Sequence, residues 1–427
     1  MRVRLVRRYL FLALTIGLVA CASPTPTQTP PFLPWSVAVT VAEAVHLDAP
    51  AVGLAGEGWA VVWADGPDLF FRRVTPDGAR GPVQMLNLGG RTPWNPVLLP
   101  APEDGWHLLW QDVDIFGDAR LFSARLAADG LLLRGPVTVS AGAVTQVAAA
   151  PGDAGAAIVV WADDAPRPTL YGQRIDAQGR PVGAAVEIAR GASHPALART
   201  AGGLWALAWL SSDDAGFSRQ ALVRLSDRPL PWEGEAEAVA LGEMSLADMT
   251  VYVETVRLGL DRAHGYLFIG RRDAATGLPR TDALTFSLEA DSAGTSVGRL
   301  EALALPAAAP ATTPDVTTGF NTGPAFAPPS AGEGISLGWP APAWGQFDAL
   351  PVAFEAGGAV VVGYFQGGGL IGWQPVGVGA RAGGVLGLWT DRTRHLTLAW
   401  ANLPDSADGP AALRLCTTRS LIPEAAP

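Results

Sequence analysis

The 427-residue sequence contains no lysine, and all 30 of its basic residues are arginine. That absence excludes Schiff-base chemistry, pyridoxal phosphate anchoring and the phosphate-gripping lysine of a P-loop. Cysteine is nearly missing too: Cys21 and Cys416 are the only two, so no disulfide framework is expected. The five histidines, His46, His107, His194, His264 and His395, stand far apart with no pair at ligand spacing, so no metal is expected. There is no G-x-S-x-G element, no glycine-rich nucleotide loop after a strand and no C-x-x-C-H haem site, and no cofactor is expected. Charged residues are scarce at 16%, but hydrophobic residues reach 49%, which argues for a large buried core rather than disorder. Glycine (50) and proline (36) make up about a fifth of the chain, too many turn formers for a helical bundle.

The N-terminus has its own character. Arg2, Arg4, Arg7 and Arg8 precede an apolar run from Tyr9 to Ala20 that is too short to span a bilayer as a stable helix. The run ends in Leu18-Val19-Ala20-Cys21, which resembles the bacterial lipobox. The resemblance implies a signal peptide over 1–20, lipidation of Cys21 and attachment to a membrane on its extracytoplasmic side, in the cell envelope. Residues 22–34 alternate proline with threonine, so 21–34 reads as an extended tether. Without the first four arginines, 26 remain against 40 acids, a formal charge of −14. Such a surface repels phosphate backbones, and nucleic acid is not an expected partner.

The rest of the chain repeats. Gly58-Trp59-Ala-Val-Val-Trp63-Ala-Asp65 recurs as Gly105-Trp106-His-Leu-Leu-Trp110-Gln-Asp112, with weaker copies ending at Trp161 and Trp209. A second apolar segment with a fixed arginine follows each copy (Arg73, Arg125, Arg174, Arg224), and Gly/Asp turns punctuate the unit. Within Trp59–Trp63 both alternating sets of side chains are apolar, as in a strand covered on both faces. Four short strands per unit of about 48 residues resemble a β-propeller blade. Weaker units begin at Gly265-Tyr266, at Ala359–Tyr364 followed by Leu370–Trp373, and at His395–Trp400 with Ala412–Cys416. The last has only three strands, and the N-terminal segment Ser36–Ala42 is expected to supply the fourth. The expected fold is all-β, a seven-bladed propeller over 35–419 closed by that pairing, with six or eight blades as alternatives and a short tail at 420–427. Cys416 reads as a small core residue.

One interval breaks the rhythm. Residues 305–347, rich in Ala, Pro, Thr and Gly, carry Phe320, Phe326, Trp339, Trp344 and Phe347. Long loops in compact domains are commonly functional, so these five aromatics form a candidate binding loop over one face of the ring. The recurrent acids Asp65, Asp112, Asp163, Asp213 and Asp273 read as turn-forming residues, and the recurrent arginines as residues lying over blade edges or paired with acids of a neighbouring blade. Asp112, Asp114 and Asp118 form an acidic stretch that lacks the glycine and terminal glutamate of an EF-hand. In architecture the chain resembles sialidases, which use an arginine triad, a Tyr/Glu pair and an acid, and carry Ser-x-Asp-x-Gly-x-Thr-Trp turns. Asp291-Ser-Ala-Gly294-Thr295 approaches that turn but lacks the tryptophan, and Tyr171, Tyr252, Tyr266 and Tyr364 all sit in apolar strand contexts. No catalytic residue declares itself.

The primary expectation is a lipid-anchored binding or scaffold protein that holds a protein or glycan ligand on one propeller face. The alternative is a carbohydrate-active hydrolase or lyase with its site in the central funnel. Cys21→Ser is expected to move the protein from the membrane to the soluble fraction. Unchanged retention on membranes in a fractionation experiment rejects the lipid anchor.

Overall fold

A computed structural model describes residues 35–418 apart from 37, 45–47, 56–57, 76–78, 90–91, 115, 201–202, 213–218, 227–238, 245–251, 262, 273–278, 292–293, 303–340, 343–348, 357–358, 379, 391–395 and 403–410. Cys21, Phe320, Phe326, Trp339, Trp344 and Phe347 lie outside the described residues, as do Asp213 and Asp273. The described chain forms seven four-stranded antiparallel sheets, a seven-bladed propeller. The first strands are Asp48–Ala55, Pro93–Pro100, Val144–Pro151, Ala192–Arg199, Tyr252–Leu260, Ala341–Pro342 and Ala380–Thr390 in blades 1 to 7. Each packs against the first strand of the next blade, and that of blade 7 returns to blade 1, so these strands wall a central channel.

The double-sided apolar pattern of the second strands has a direct cause. In blade 1 (Gly58–Asp65), Ala60, Val62 and Ala64 pack against Leu98, Trp106, Leu108 and Trp110 of blade 2. Val61 and Trp63, on the opposite face, pack against Val41, Ala399 and Leu413 of blade 7. Trp59, Trp106, Trp110, Trp205 and Trp400 are fully buried. Each such indole removes on the order of 150–250 Å² from water, equivalent to about 4–6 kcal/mol of transfer free energy before conformational entropy is set against it. The glycine before the tryptophan is needed where the repeat places it. A Cβ at Gly105 would overlap the Leu126 carbonyl and the Arg125 guanidinium.

The sixth unit differs from the sequence expectation by one strand. Ala359–Gln366 is the third strand of its sheet, Leu350–Ala356 is the second, and the first is the two-residue Ala341–Pro342, inside the 305–347 interval. An all-apolar strand signals burial on both faces, and here the second and third strands are both buried that way. The pattern therefore did not say which of the two it was.

The last blade combines Ala380–Thr390, Leu396–Asn402 and Ala411–Thr417 with Val39–Ala44 from the start of the domain. Val39 stands opposite Leu415 and Ala44 opposite Ala411. Blade 1 also holds this strand through its carbonyls. Arg72 Nη1 donates to the Val41 carbonyl (2.9 Å) while its Nε donates to Gly81 (2.8 Å), and Arg80 Nη1 donates to Thr40 (3.0 Å). Arg72→Ala is expected to lower unfolding free energy by about 1–3 kcal/mol in denaturant titrations, because it removes charge-assisted bonds on both sides of the seam. A change below a few tenths of a kcal/mol shows that the strand does not depend on that clamp.

Candidate functional site

With both faces of the blades apolar, polar chemistry collects at the strand ends. Antiparallel pairing puts the start of each first strand at the same end of its blade as the turn between second and third strands. In blade 3, Val144 faces Asp163, and Thr169 faces Arg190. On that face the first strands of blades 1 to 5 begin with a register shift: between Asp48 and Ala51, Trp94 and Val97, Val144 and Gln146, Ser193 and Ala196, and Val253 and Thr255. Three of these bulges contain an X-Pro pair: Ala49-Pro50, Asn95-Pro96 and His194-Pro195. Proline brings no N–H, so it fits where the ladder is already interrupted. Asn95 and His194 both adopt φ of 53°, a left-handed conformation that a residue before proline seldom takes and that the surrounding structure must hold in place.

What holds it is a chain of hydrogen bonds from blade to blade. Asn95 Nδ2 donates to Gln111 Oε1 (3.0 Å), and the buried Gln111 passes its own Nε2–H to the Val144 carbonyl of blade 3 (2.9 Å). Gln146 Oε1 accepts from the Thr145 hydroxyl (3.1 Å) and from the His194 amide of blade 4 (3.3 Å). His194 Nε2 lies 3.0 Å from the Val253 carbonyl of blade 5, and Nδ1 lies 3.0 Å from Ser193 Oγ. A carbonyl only accepts, so Nε2 carries the proton. Nδ1 is left as the basic nitrogen, accepting from the serine hydroxyl.

Around this collar the surface is aromatic and charged. Trp94 and Phe116, 43% and 83% exposed, both lie on this face of blade 2. Beneath the turns, the second-strand tryptophans stack on aromatics directly opposite in register: Trp63 on Phe70 (5.7 Å), Trp110 on Phe122 (5.7 Å) and Trp161 on Tyr171 (6.0 Å). Two clefts open over the first two pairs. One, about 260 Å³, is lined by Trp110, Asp112, Asp114, Asp118, Arg120 and Phe122. The other, about 340 Å³, includes Glu43, Trp63, Asp65, Phe70, Arg72 and Arg80 along the seam between blades 7 and 1.

Of the recurrent acids expected to shape turns, Asp163 caps the turn that follows it, while Asp112 instead holds the segment just before the first strand of its blade. Asp163 Oδ1 accepts from the amides of Thr169 (2.8 Å) and Ala165 (3.4 Å), and Asp112 Oδ1 from Thr92 (2.9 Å). Asp114 Oδ1 caps its own turn through Phe116 (2.8 Å) and Asp118 (3.1 Å). Among the described residues no group of three His, Cys, Asp or Glu side chains is placed to hold a metal ion. Of the repeated arginines, Arg125 departs from expectation. It is 4% exposed and donates to the carbonyls of Pro102, Trp106 and Leu126 in its own blade, not to an acid of the next. Burial pulls its pKa below the ordinary arginine value, and does the same to His107, which bonds the Gly155 carbonyl at 2.8 Å. Cys416 is buried, with desolvation pushing its thiol pKa up, as befits a core residue. Tyr266 is likewise committed to structure: its hydroxyl donates to Asp261 Oδ2 at 2.7 Å, and burial followed by that carboxylate raises its pKa.

The collar was not singled out from the sequence, although a signal for it exists. Ala49-Pro-Ala-Val, Asn95-Pro-Val-Leu and His194-Pro-Ala-Leu are a second internal repeat, about 15 residues before Trp63, Trp110 and Trp209 respectively. The tryptophan repeat overshadows it.

No family model matches the chain, and no curated protein matches it. Solved structures do. The polysaccharide lyase Uly1 aligns over 88% of this chain and 91% of its own length, with a TM-score of 0.53 and 11% identity. The GH43_1 enzyme from Xanthomonas citri complexed with xylose covers 62% of this chain at a TM-score of 0.36 and 13% identity, with 92% of its own length aligned. An α-L-arabinofuranosidase from Clostridium thermocellum covers 61% at 0.37 and 12%, with 94% of its own length aligned. At these identities the likeness to the lyase concerns the propeller fold.

Gln111→Ala leaves the Asn95 amide and the Val144 carbonyl without their partner. It is expected to cost about 1–3 kcal/mol in urea unfolding. A neutral substitution shows that the collar is not held through Gln111.

Proposed function

We propose that this protein is a carbohydrate-active propeller that grips a polysaccharide across the collar-bearing face and cleaves it at the channel mouth. The carrying observation is the exposed pair Trp94 and Phe116 beside a rim of hydrogen-bonding side chains. Flat aromatic faces suit the C–H faces of sugar rings, while amides, hydroxyls and an imidazole suit their hydroxyl groups. The likeness in fold to the polysaccharide lyase Uly1, over 88% of this chain, supports a polysaccharide as the ligand. In this reading the pairing of Val39–Ala44 with the last blade closes the ring. Lipid on Cys21 keeps the protein at the extracytoplasmic surface, where polysaccharides are met.

Between hydrolysis and elimination the collar favours elimination. Paired-carboxylate hydrolysis needs two acids flanking one bond. On the collar, His194 presents a basic nitrogen next to the Ser193 hydroxyl. Elimination from a uronate sugar needs one base to take the proton beside the carboxyl group. The glycosidic oxygen leaves with the bonding electrons, is protonated, and a carbon–carbon double bond remains.

Incubation of the chain lacking residues 1–20 with a panel of neutral and uronate polysaccharides separates the outcomes. New ultraviolet-absorbing unsaturated ends mark a lyase, and reducing ends without that absorbance mark a hydrolase. Retention on a glycan matrix with neither product returns the protein to the class of binders and overturns the enzyme reading. For a lyase, His194→Ala is expected to lower kcat about 10²–10⁴-fold with little change in KM. Trp94→Ala and Phe116→Ala are expected to raise KM about three- to tenfold each.

A further inference from the structure

Arg257 stands in the middle of the first strand of blade 5, opposite Phe268. Val256, Leu258 and Leu260 turn from that strand toward blade 4, where they pack with Ala206, Ala208 and Leu210. Arg257 shares the other side with Thr255 and Gly259. This is the side of blade 6, since the Phe268 ring opposite it packs on Phe354 and Phe365. The described first strand of blade 6 has two residues, Ala341–Pro342, where the first strands of the other blades have eight to eleven. Arg257 is exposed there, although its described neighbours in the strand are buried.

Two donors on this side lack an acceptor of matching strength. The guanidinium makes a single hydrogen bond among the described residues, from Nη1 to the neighbouring Val256 carbonyl (3.2 Å), and no described carboxylate pairs with it. Thr255, 6% exposed, has a buried hydroxyl with no hydrogen-bond partner among the described residues. Residues two apart on one strand face are separated by about 6.5–7 Å, so one oxyanion group can reach both. Surrounding protein pulls the Arg257 pKa below its ordinary value with no opposing charge, yet an arginine begins so high that it stays cationic near neutral pH. A buried hydroxyl left this way is costly, and a ligand that satisfies it gains selectivity over one that does not.

We propose that Arg257 and Thr255 form an oxyanion subsite in the channel wall, which takes the carboxylate or sulfate ester of a sugar. The subsite rests on the carbohydrate reading and sharpens it to an acidic glycan. It is separate from the collar. His194 bonds Val253, and four residues along the strand is about 13 Å, longer than one sugar ring. The anionic group recognised by Arg257 therefore belongs to a different sugar from the one at His194, and the ligand enters the channel mouth instead of lying wholly across it. The planar guanidinium offers two parallel N–H bonds to a carboxylate or sulfate, and in a chain of formal charge −10 a cation that pairs with no described acid on an inner wall marks a local reversal of sign.

The test is calorimetric titration of the chain lacking residues 1–20 with three oligosaccharides of equal length: uronate-bearing, sulfated but otherwise neutral, and unmodified neutral. The anionic ligands are expected to bind about tenfold to a hundredfold more tightly than the neutral one. Arg257→Met is expected to abolish that preference while leaving neutral binding unchanged. Arg257→Lys is expected to keep part of it, and Thr255→Val to lose several-fold. Whichever of the uronate and sulfated ligands keeps the preference identifies the group. Equal binding of anionic and neutral ligands by the unaltered protein overturns the subsite without any variant, as does a preference that survives in Arg257→Met. Should no oligosaccharide bind, the carbohydrate reading fails, and inorganic sulfate tests the subsite alone. A sulfate-induced rise in melting temperature that Arg257→Met loses sustains it, and no rise in the unaltered protein overturns it.

Discussion

Covering each blade's second strand on both sides by its neighbours is the interaction on which the other features depend. Trp63 faces blade 7 while Ala64 faces blade 2, and the same division recurs around the ring. A strand buried on both faces has no side on which to carry polar groups, so the interior is assembled from Trp, Val, Leu and Ala. Hydrogen-bonding and charged side chains are displaced to strand ends, turns and the innermost strands. The place where chemistry can occur is thus a result of how the ring is packed.

The collar follows from the same geometry. First strands wall the central channel, and in blades 1 to 5 each shifts register against its second strand near its start. A bulge at the start of the strand does this and also re-aims the residue at its apex. In blades 2 and 4 that residue is Asn95 or His194, each held in a left-handed conformation before a proline and tied to the next blade, His194 directly and Asn95 through Gln111. Local backbone strain is thereby paired with inter-blade bonding. The contact that steadies the ring also orients the imidazole toward the mouth.

Much of the fold was legible in the linear sequence. Trp63, Trp110, Trp161 and Trp209 recur at near-constant intervals, and the strands around them fall where that rhythm puts them. The unpaired N-terminal segment and the three-strand last unit are complementary, and they do pair. The sixth blade was misaligned by one strand because Leu350–Ala356 and Ala359–Gln366 are equally apolar, and no tryptophan distinguishes them. The site was far less legible. Its aromatics were sought among Phe320, Phe326, Trp339, Trp344 and Phe347, outside the described residues. The ones found on the mouth-bearing face are Trp94 and Phe116, which nothing in their local sequence sets apart from core aromatics.

By itself, then, the sequence determined the class of fold, the approximate blade count and the chemistries that lysine, cysteine and histidine scarcity excludes, because these depend on composition and on short-range periodicity. Tertiary structure alone decided which polar residues meet. Asn95, Gln111, Gln146 and His194 come from three blades, and their contacts span up to 59 positions of sequence. It alone decided that, among the described residues, Arg257 meets no counter-charge and the Thr255 hydroxyl no acceptor, since neither fact exists until the strands of blade 5 are set against their neighbours. Periodicity records which side of a strand is dry. Closing the ring decides what waits on the side that is not.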